Sequence, residues 1–194
     1  ADADGLGAFS YQWLRNGVDI SGATAASLVL GNPDVGALIS VRVSYTDSQS
    51  AAEVLTSAAV GPIVNANDVP AGPVVITGTP TEDQVLTADT SGVSDPDGLG
   101  PLTYQWLRNG SAVGGANAAT YTLGDADVGS QMTVQVSWVD GNGTAEVQTS
   151  AAVGPVANVN DNPIGTPTIG GTPTEDEVLT VLTASIGDDD GLGA

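Results

Sequence analysis

The chain repeats itself every 93 residues without insertion. YQWLRNG stands at 11–17 and again at 104–110, TSAAVGP at 56–62 and 149–155, GTPTED at 78–83 and 171–176, and DGLG at 4–7, 97–100 and 190–193. A fixed period of this length confines the chain to an array of similar small domains, each with its own core, and an array predicts a spacer or scaffold before it predicts an enzyme. The 194 residues are two periods plus eight, so the repeat is out of phase with the ends.

The charge balance removes several function classes. Three arginines (Arg15, Arg42, Arg108), no Lys, no His and no Cys face 23 acidic residues, for a net charge of -20. Such a chain is repelled by nucleic acid and by anionic membrane surfaces and attracts cations. Without Cys there are no disulfides or thiolate metal sites; without His the usual general base and the commonest transition-metal ligand are missing. No apolar run reaches the roughly 18 residues of a membrane span. Neither a nucleic-acid partner nor membrane insertion is expected, and the chemistry left is that of carboxylates.

One period reads as short strands between turn signals. Strands are expected at 74–79, 85–89, 102–107, 120–123 and 145–153. Another follows from Met132, Val134, Val136 and Trp138 alternating with Thr133, Gln135 and Ser137, which buries one face and wets the other. Asp140–Gly141–Asn142–Gly143 is a hairpin turn by composition. This spacing predicts an all-β chain of tandem antiparallel sandwiches of about seven strands each, with Greek-key connections. Trp106, Trp138, Tyr121, Leu123, Met132 and Val134 are the expected core.

In this register residues 1–69 hold strands three to seven of one domain, 70–162 a complete domain, and 163–194 the first two strands of a third. Each incomplete part carries what the other lacks. A lone two-stranded hairpin is marginal in water and an open sandwich exposes strand edges. The expectation is therefore head-to-tail strand complementation between copies, the segment from Ile169 to Ile186 adding to the segment from Tyr11 to Val60.

The acid is unevenly placed. Of the ten acidic residues between 65 and 157, eight fall in loops or the linker, Asp89 and Glu146 being the exceptions. A sandwich of this kind collects Asp95, Asp97 and Asp140 at one pole and Glu82, Asp83, Asp125 and Asp127 at the other, with Asn67–Asp68 and Asn160–Asp161 in the linkers. Like charges about 4 Å apart cost on the order of 1–4 kcal/mol per pair near a surface. A hard cation with six to eight oxygen ligands relieves this, and such a ligand set suits Ca²⁺ better than Mg²⁺. Candidate ligands are Asp34, Asn67, Asp68, Asp95 and Asp97 at the first junction, Glu82, Asp127, Asn160, Asp161, Asp188 and Asp190 at the second, and Asp2 and Asp4 before the first domain. Turn chemistry is the competing account, since Asp also caps local amides in loops. DPDG at 95–98 starts like an EF-hand loop but has no Glu at its twelfth position, and Asp95 with Asp97 lacks the cleft of a glycosidase pair.

The motifs carry a resemblance. Trp106 in YQWLRNG, with Trp13 one period earlier, sits where an immunoglobulin-like domain keeps its core tryptophan, and Leu123–Gly124–Asp125–Ala126–Asp127–Val128–Gly129 resembles the stretch entering the sixth strand. The inter-sheet disulfide is absent, and Gln131 stands where a tyrosine is common. Pro80–Thr81–Glu82, Asp125–Ala126–Asp127, Asn160–Asp161–Asn162–Pro163 and Asp188–Asp189–Asp190 resemble the calcium-sharing elements of cadherin junctions. In combination with DPDGLG, YTLGDADVG and GTPTED, the whole chain resembles the extender repeats of bacterial RTX adhesins. That resemblance implies an extracellular protein held at the bacterial outer membrane, with no enzymatic activity. Its domains, rigidified by calcium at their linkers, would project a distal ligand-binding domain for adhesion and biofilm formation. A carbohydrate- or protein-binding module, with Tyr45 or Trp138 as platform, and an accessory domain of a secreted enzyme are the alternatives.

Overall fold

The structure, a computed structural model, describes residues 5–190. The chain divides into two compact units, Ala1–Val69 with Asp95–Gly98, and Pro70–Ser94 with Leu99–Ala194. The 163–194 segment thus groups with the complete domain, and the four-residue tip at Asp95–Gly98 groups with the first unit.

The first unit is one antiparallel sheet. It is built from β1 (Ser10–Arg15), β2 (Val18–Asp19), β3 (Ile39–Thr46) and β4 (Ala52–Thr56) in the order β2-β1-β3-β4. Asn16 and Gly17, at φ 50° and 80°, make the left-handed two-residue turn that lets β1 fold back on β2. Gln12 locks this hairpin, its Nε2 donating to the carbonyls of Trp13 and Ile20 at 2.9 and 2.8 Å.

The second unit has a sheet of the same strand order and a further sheet of its own. β5 (Val75–Thr77), β6 (Val85–Asp89) and β9 (Thr120–Thr122) form one sheet in the order β5-β6-β9. The strands β7 (Thr103–Arg108), β8 (Ser111–Ala112), β10 (Met132–Val139) and β11 (Ala145–Thr149) form the other, in the order β11-β10-β7-β8. All pairings are antiparallel. This is the all-β sandwich that the strand spacing predicts. Alternation in β10 is realised residue by residue: Met132, Val134, Val136 and Trp138 point into the core while Gln135 and Val139 face solvent. Trp106, Leu86, Met132, Val134 and Val136 have no exposed surface. Burying each such side chain contributes about 1.5–3 kcal/mol, which lets the domain hold together without a disulfide. Trp106 stacks on Tyr121 with centroids 5.7 Å apart and donates its indole N–H to the Ala118 carbonyl at 3.0 Å.

Some strands are shorter than expected. The first ends at Thr77, because Gly78, at φ 112°, turns the backbone so tightly that a Cβ there would lie 2.5 Å from the Val85 carbonyl oxygen. The last regular strand ends at Thr149, with Val153 rejoining Met132 only as an isolated bridge. The two-residue β8 has too little sequence to show a pattern.

The remaining hairpin, β12 (Thr168–Gly170) with β13 (Thr180–Leu182), is the repeat counterpart of β5–β6 and forms a two-stranded sheet among the described residues. No helix among the described residues is long and apolar enough to cross a membrane.

Candidate metal centre

The second unit gathers three carboxylates beneath its β6–β9 end. Glu82 lies in the loop before β6, Asp125 opens the single 3₁₀ turn Asp125–Asp127 that follows β9, and Asp161 lies in the segment leading to β12. One oxygen from each falls within 4.8 Å of the others. Glu82 is 1% exposed. Its Oε2 accepts the Val159 amide at 3.0 Å, whereas its buried Oε1 has no hydrogen-bond partner. A buried acceptor without a donor costs free energy, and here it stands among like charges.

Electrostatics records the conflict. The Val159 amide pulls the Glu82 carboxyl down, yet the adjacent Asp125 carboxylate, burial and the charge of Asp161 together hold it above its ordinary range. Asp161 is raised too, by burial first and then by Asp125, Asp190, Asp83 and Asp189. The donor set is hard oxygen throughout, which fits a hard divalent cation such as Ca²⁺.

The segment entering β12 is organised around the same place. Asp190 receives the Asp161 amide at 2.7 Å on one oxygen and the Asn158 side-chain amide at 2.7 Å on the other, and its own amide is capped by Asp188 at 3.1 Å. Asn160, exposed, donates its side-chain amide to the Asp161 carbonyl at 2.7 Å. The first unit repeats this scaffold one period earlier: the Asp68 amide donates to Asp97 at 2.7 Å, the Asp97 amide to Asp95 at 2.9 Å, and the Asn67 side chain to the Asp68 carbonyl at 3.2 Å. Asn32 replaces Asp125 there, donating to the Pro96 carbonyl at 3.1 Å. Asn65 contributes a buried Oδ1 with no partner.

Two candidates are engaged elsewhere. Asp127, 1% exposed, accepts Arg108 Nε at 2.6 Å, the Tyr121 hydroxyl at 2.9 Å and the Gly124 amide at 3.0 Å. Asp34 holds Arg15 at 2.7 Å and caps the Gly31 amide at 2.9 Å, and the amide first, then the arginine, keeps its carboxyl below the ordinary range. In the Asp-x-Asp stretch the structure therefore gives the place beside Glu82 to Asp125 and the structural place to Asp127. The signal for this was present: arginine and carboxylate stand 19 residues apart in both copies, as Arg15–Asp34 and Arg108–Asp127, while Asp125 becomes Asn32.

Asp140, at the opposite pole, behaves as a turn residue. Its Oδ1 accepts the Asn142 and Thr144 amides, each at 2.8 Å. Burial alone would raise its carboxyl, and the amides of Thr144 and Asn142 outweigh that and lower it. Asp2 and Asp4 lie outside the described residues. Trp138 is 3% exposed and belongs to the core, so it is no platform for a sugar. Compared with protein-family models and with curated proteins, the chain matches none.

Proposed function

We propose that this chain is a spacer segment of a bacterial surface adhesin, with Ca²⁺ held at the ends of its sandwiches. The observation that carries the cation is Glu82: its Oε1 is buried and without a donor, and one of its carboxylate oxygens lies within 4.8 Å of one from Asp125 and one from Asp161. A divalent ion there replaces three-way repulsion with three attractions and ties the loop before β6 and the turn after β9 to the 158–161 segment. The extracellular, outer-membrane-attached setting and the adhesive role of the parent protein are the part of the proposal that rests on resemblance. Extracellular modules of this kind bind calcium at about 10⁻⁴–10⁻³ M, so the ion stays bound outside a cell and leaves at cytosolic levels.

The test is calorimetric titration of the chelator-treated chain with CaCl₂, paired with small-angle scattering in calcium and in chelator. Saturable binding together with a narrower distribution of dimensions in calcium supports the proposal. No heat of binding up to several millimolar calcium, or scattering unchanged by chelator, overturns it.

A further inference from the structure

The two copies of the repeat build one scaffold at this pole and differ at a single contact. In the first unit the Asp68 amide donates to Asp97 at 2.7 Å and the Asp97 amide to Asp95 at 2.9 Å. In the second the Asp161 amide donates to Asp190 at 2.7 Å and the Asp190 amide to Asp188 at 3.1 Å. The 3₁₀ turns Asn32–Asp34 and Asp125–Asp127 match as well, each ending in a carboxylate that accepts the amide of the glycine before the turn. A shift of one period then sets Asn32 against Asp125 and Pro96 against Asp189.

These are the two positions that touch in the first unit. Asn32 donates its side-chain amide to the Pro96 carbonyl at 3.1 Å, which fastens the turn directly to the tip Asp95–Gly98. A neutral donor meeting a carbonyl needs no third party. An ionised carboxylate has no proton to donate, so Asp125 cannot make the same bond to the carbonyl of Asp189. Where the first unit has a donor and an uncharged residue, the second has two acids.

The surroundings of those acids call for a cation. Burial and then the charges of Asp125, Asp190, Asp83 and Asp189 raise the Asp161 carboxyl. Glu82 adds a buried Oε1 that no donor satisfies. Like charges this close repel, and a hard divalent ion coordinated by the same oxygens turns the repulsion into attraction.

We propose that the first residue of the 3₁₀ turn decides how each pole is fastened. Asn32 joins the tip at 95–98 by a direct hydrogen bond that needs no ion, and Asp125 joins the 188–190 segment only through a divalent cation. The second half rests on the calcium reading of the Glu82 site, whereas the first half does not. The chain then carries one permanent fastening and one gated by calcium, and a fall in calcium releases the second without the first.

The test uses the full chain, isotope-labelled for NMR and titrated with CaCl₂ by calorimetry. Nuclear Overhauser contacts from the Asn32 side-chain amide to Pro96 and Asp97 are expected at equal strength in calcium and in chelator. Asp125→Asn with Asp189→Pro gives the second unit the first unit's pair. This double variant is expected to bind calcium about tenfold or more weakly, because charge count sets affinity among oxygen sites. In chelator its introduced side-chain amide should show contacts to residues 189 and 190. Thermal unfolding followed by Trp106 fluorescence checks that its sandwich is intact. Glu146→Gln, which removes one charge from β11, should leave the affinity within about twofold. Calcium binding that the double variant retains at unchanged affinity, or an equal loss in Glu146→Gln, overturns this inference and leaves the calcium reading standing. Loss of the Asn32 contacts in chelator overturns the direct fastening. A wild type that binds no calcium overturns the calcium reading and the gated half together.

Discussion

Truncating Asp127 to Ala separates a structural carboxylate from a metal ligand. The side chain accepts three hydrogen bonds, from Arg108 Nε, the Tyr121 hydroxyl and the Gly124 amide, and is 2% exposed. Hydrogen bonds to a charged group contribute about 1.5–3 kcal/mol each, and breaking a buried pair from one side costs about 3–5 kcal/mol. Arg108 is 31% exposed and regains water once released, which discounts the ion-pair part. The Tyr121 hydroxyl and the Gly124 amide recover less. The sum is about 3–4 kcal/mol, a large share of the roughly 5–15 kcal/mol that holds a domain together. At about 4–8 °C per kcal/mol for a domain of this size, the unfolding temperature falls by about 12 °C or more. The assay is thermal and urea unfolding in chelator, followed by tryptophan fluorescence, with Asp34→Ala as internal comparison. Asp34 pins Arg15 and Gly31 but has Leu28 where the other copy has Tyr121, so its loss should be smaller. A cost below about 1 kcal/mol for Asp127→Ala, or a variant that keeps its stability but loses its calcium response, would refute the structural assignment.

Glu82→Gln keeps the bond to Val159 and removes the charge among Asp125 and Asp161. It should raise the unfolding temperature in chelator at neutral pH and remove the calcium-dependent stabilisation of the second unit, both read by calorimetry. The pH dependence follows from the signs. Asp34, Asp89 and Asp140 are lowered from 3.8, so the stability they contribute is present above that value and is lost as pH falls through the acid range. Glu82 is raised from 4.5, so without metal the folded state loses stability as pH rises above that value; the difference between the wild type and Glu82→Gln should widen over the same interval in chelator. Gly72→Ala should unfold the second unit at markedly lower temperature. Gly72 sits at φ 81° and a Cβ there would lie 1.8 Å from the Gly92 carbonyl oxygen, whereas Gly115→Ala, at φ 77° but facing open space, should cost only about 1 kcal/mol.

Much of the sandwich was legible because it depends on local period. Alternation placed Met132, Val134, Val136 and Trp138 inside, and the strand Val85–Asp89 matches its expected bounds residue for residue. The choice between the two carboxylates of Asp125–Ala126–Asp127 is not legible within one copy and shows only when the copies are compared, where Arg15–Asp34 and Arg108–Asp127 recur while Asp125 becomes Asn32. One 3₁₀ turn directs them differently, and the partner that selects Asp127 is Arg108, brought close by the sheet and not by the sequence. The turn at Asp140 was legible from composition: its Oδ1 accepts amides two and four residues ahead, closing the hairpin expected of Asp140–Gly141–Asn142–Gly143. Glu82 could be named as a candidate, but its unpartnered oxygen appears only once Val159 and Asp125 are folded around it.

All three arginines are already matched within their own units, Arg15 to Asp34, Arg42 to Asp19 and Arg108 to Asp127. With no lysine or histidine in the chain, no basic side chain remains to greet a neighbour's acid. Two copies therefore approach as like-charged bodies, and ionic strength acts on them in the opposite sense to most protein pairs. At 0.01 M salt the repulsion reaches about 30 Å, and at 1 M about 3 Å. A brine that dissolves salt-bridged complexes would let these molecules meet.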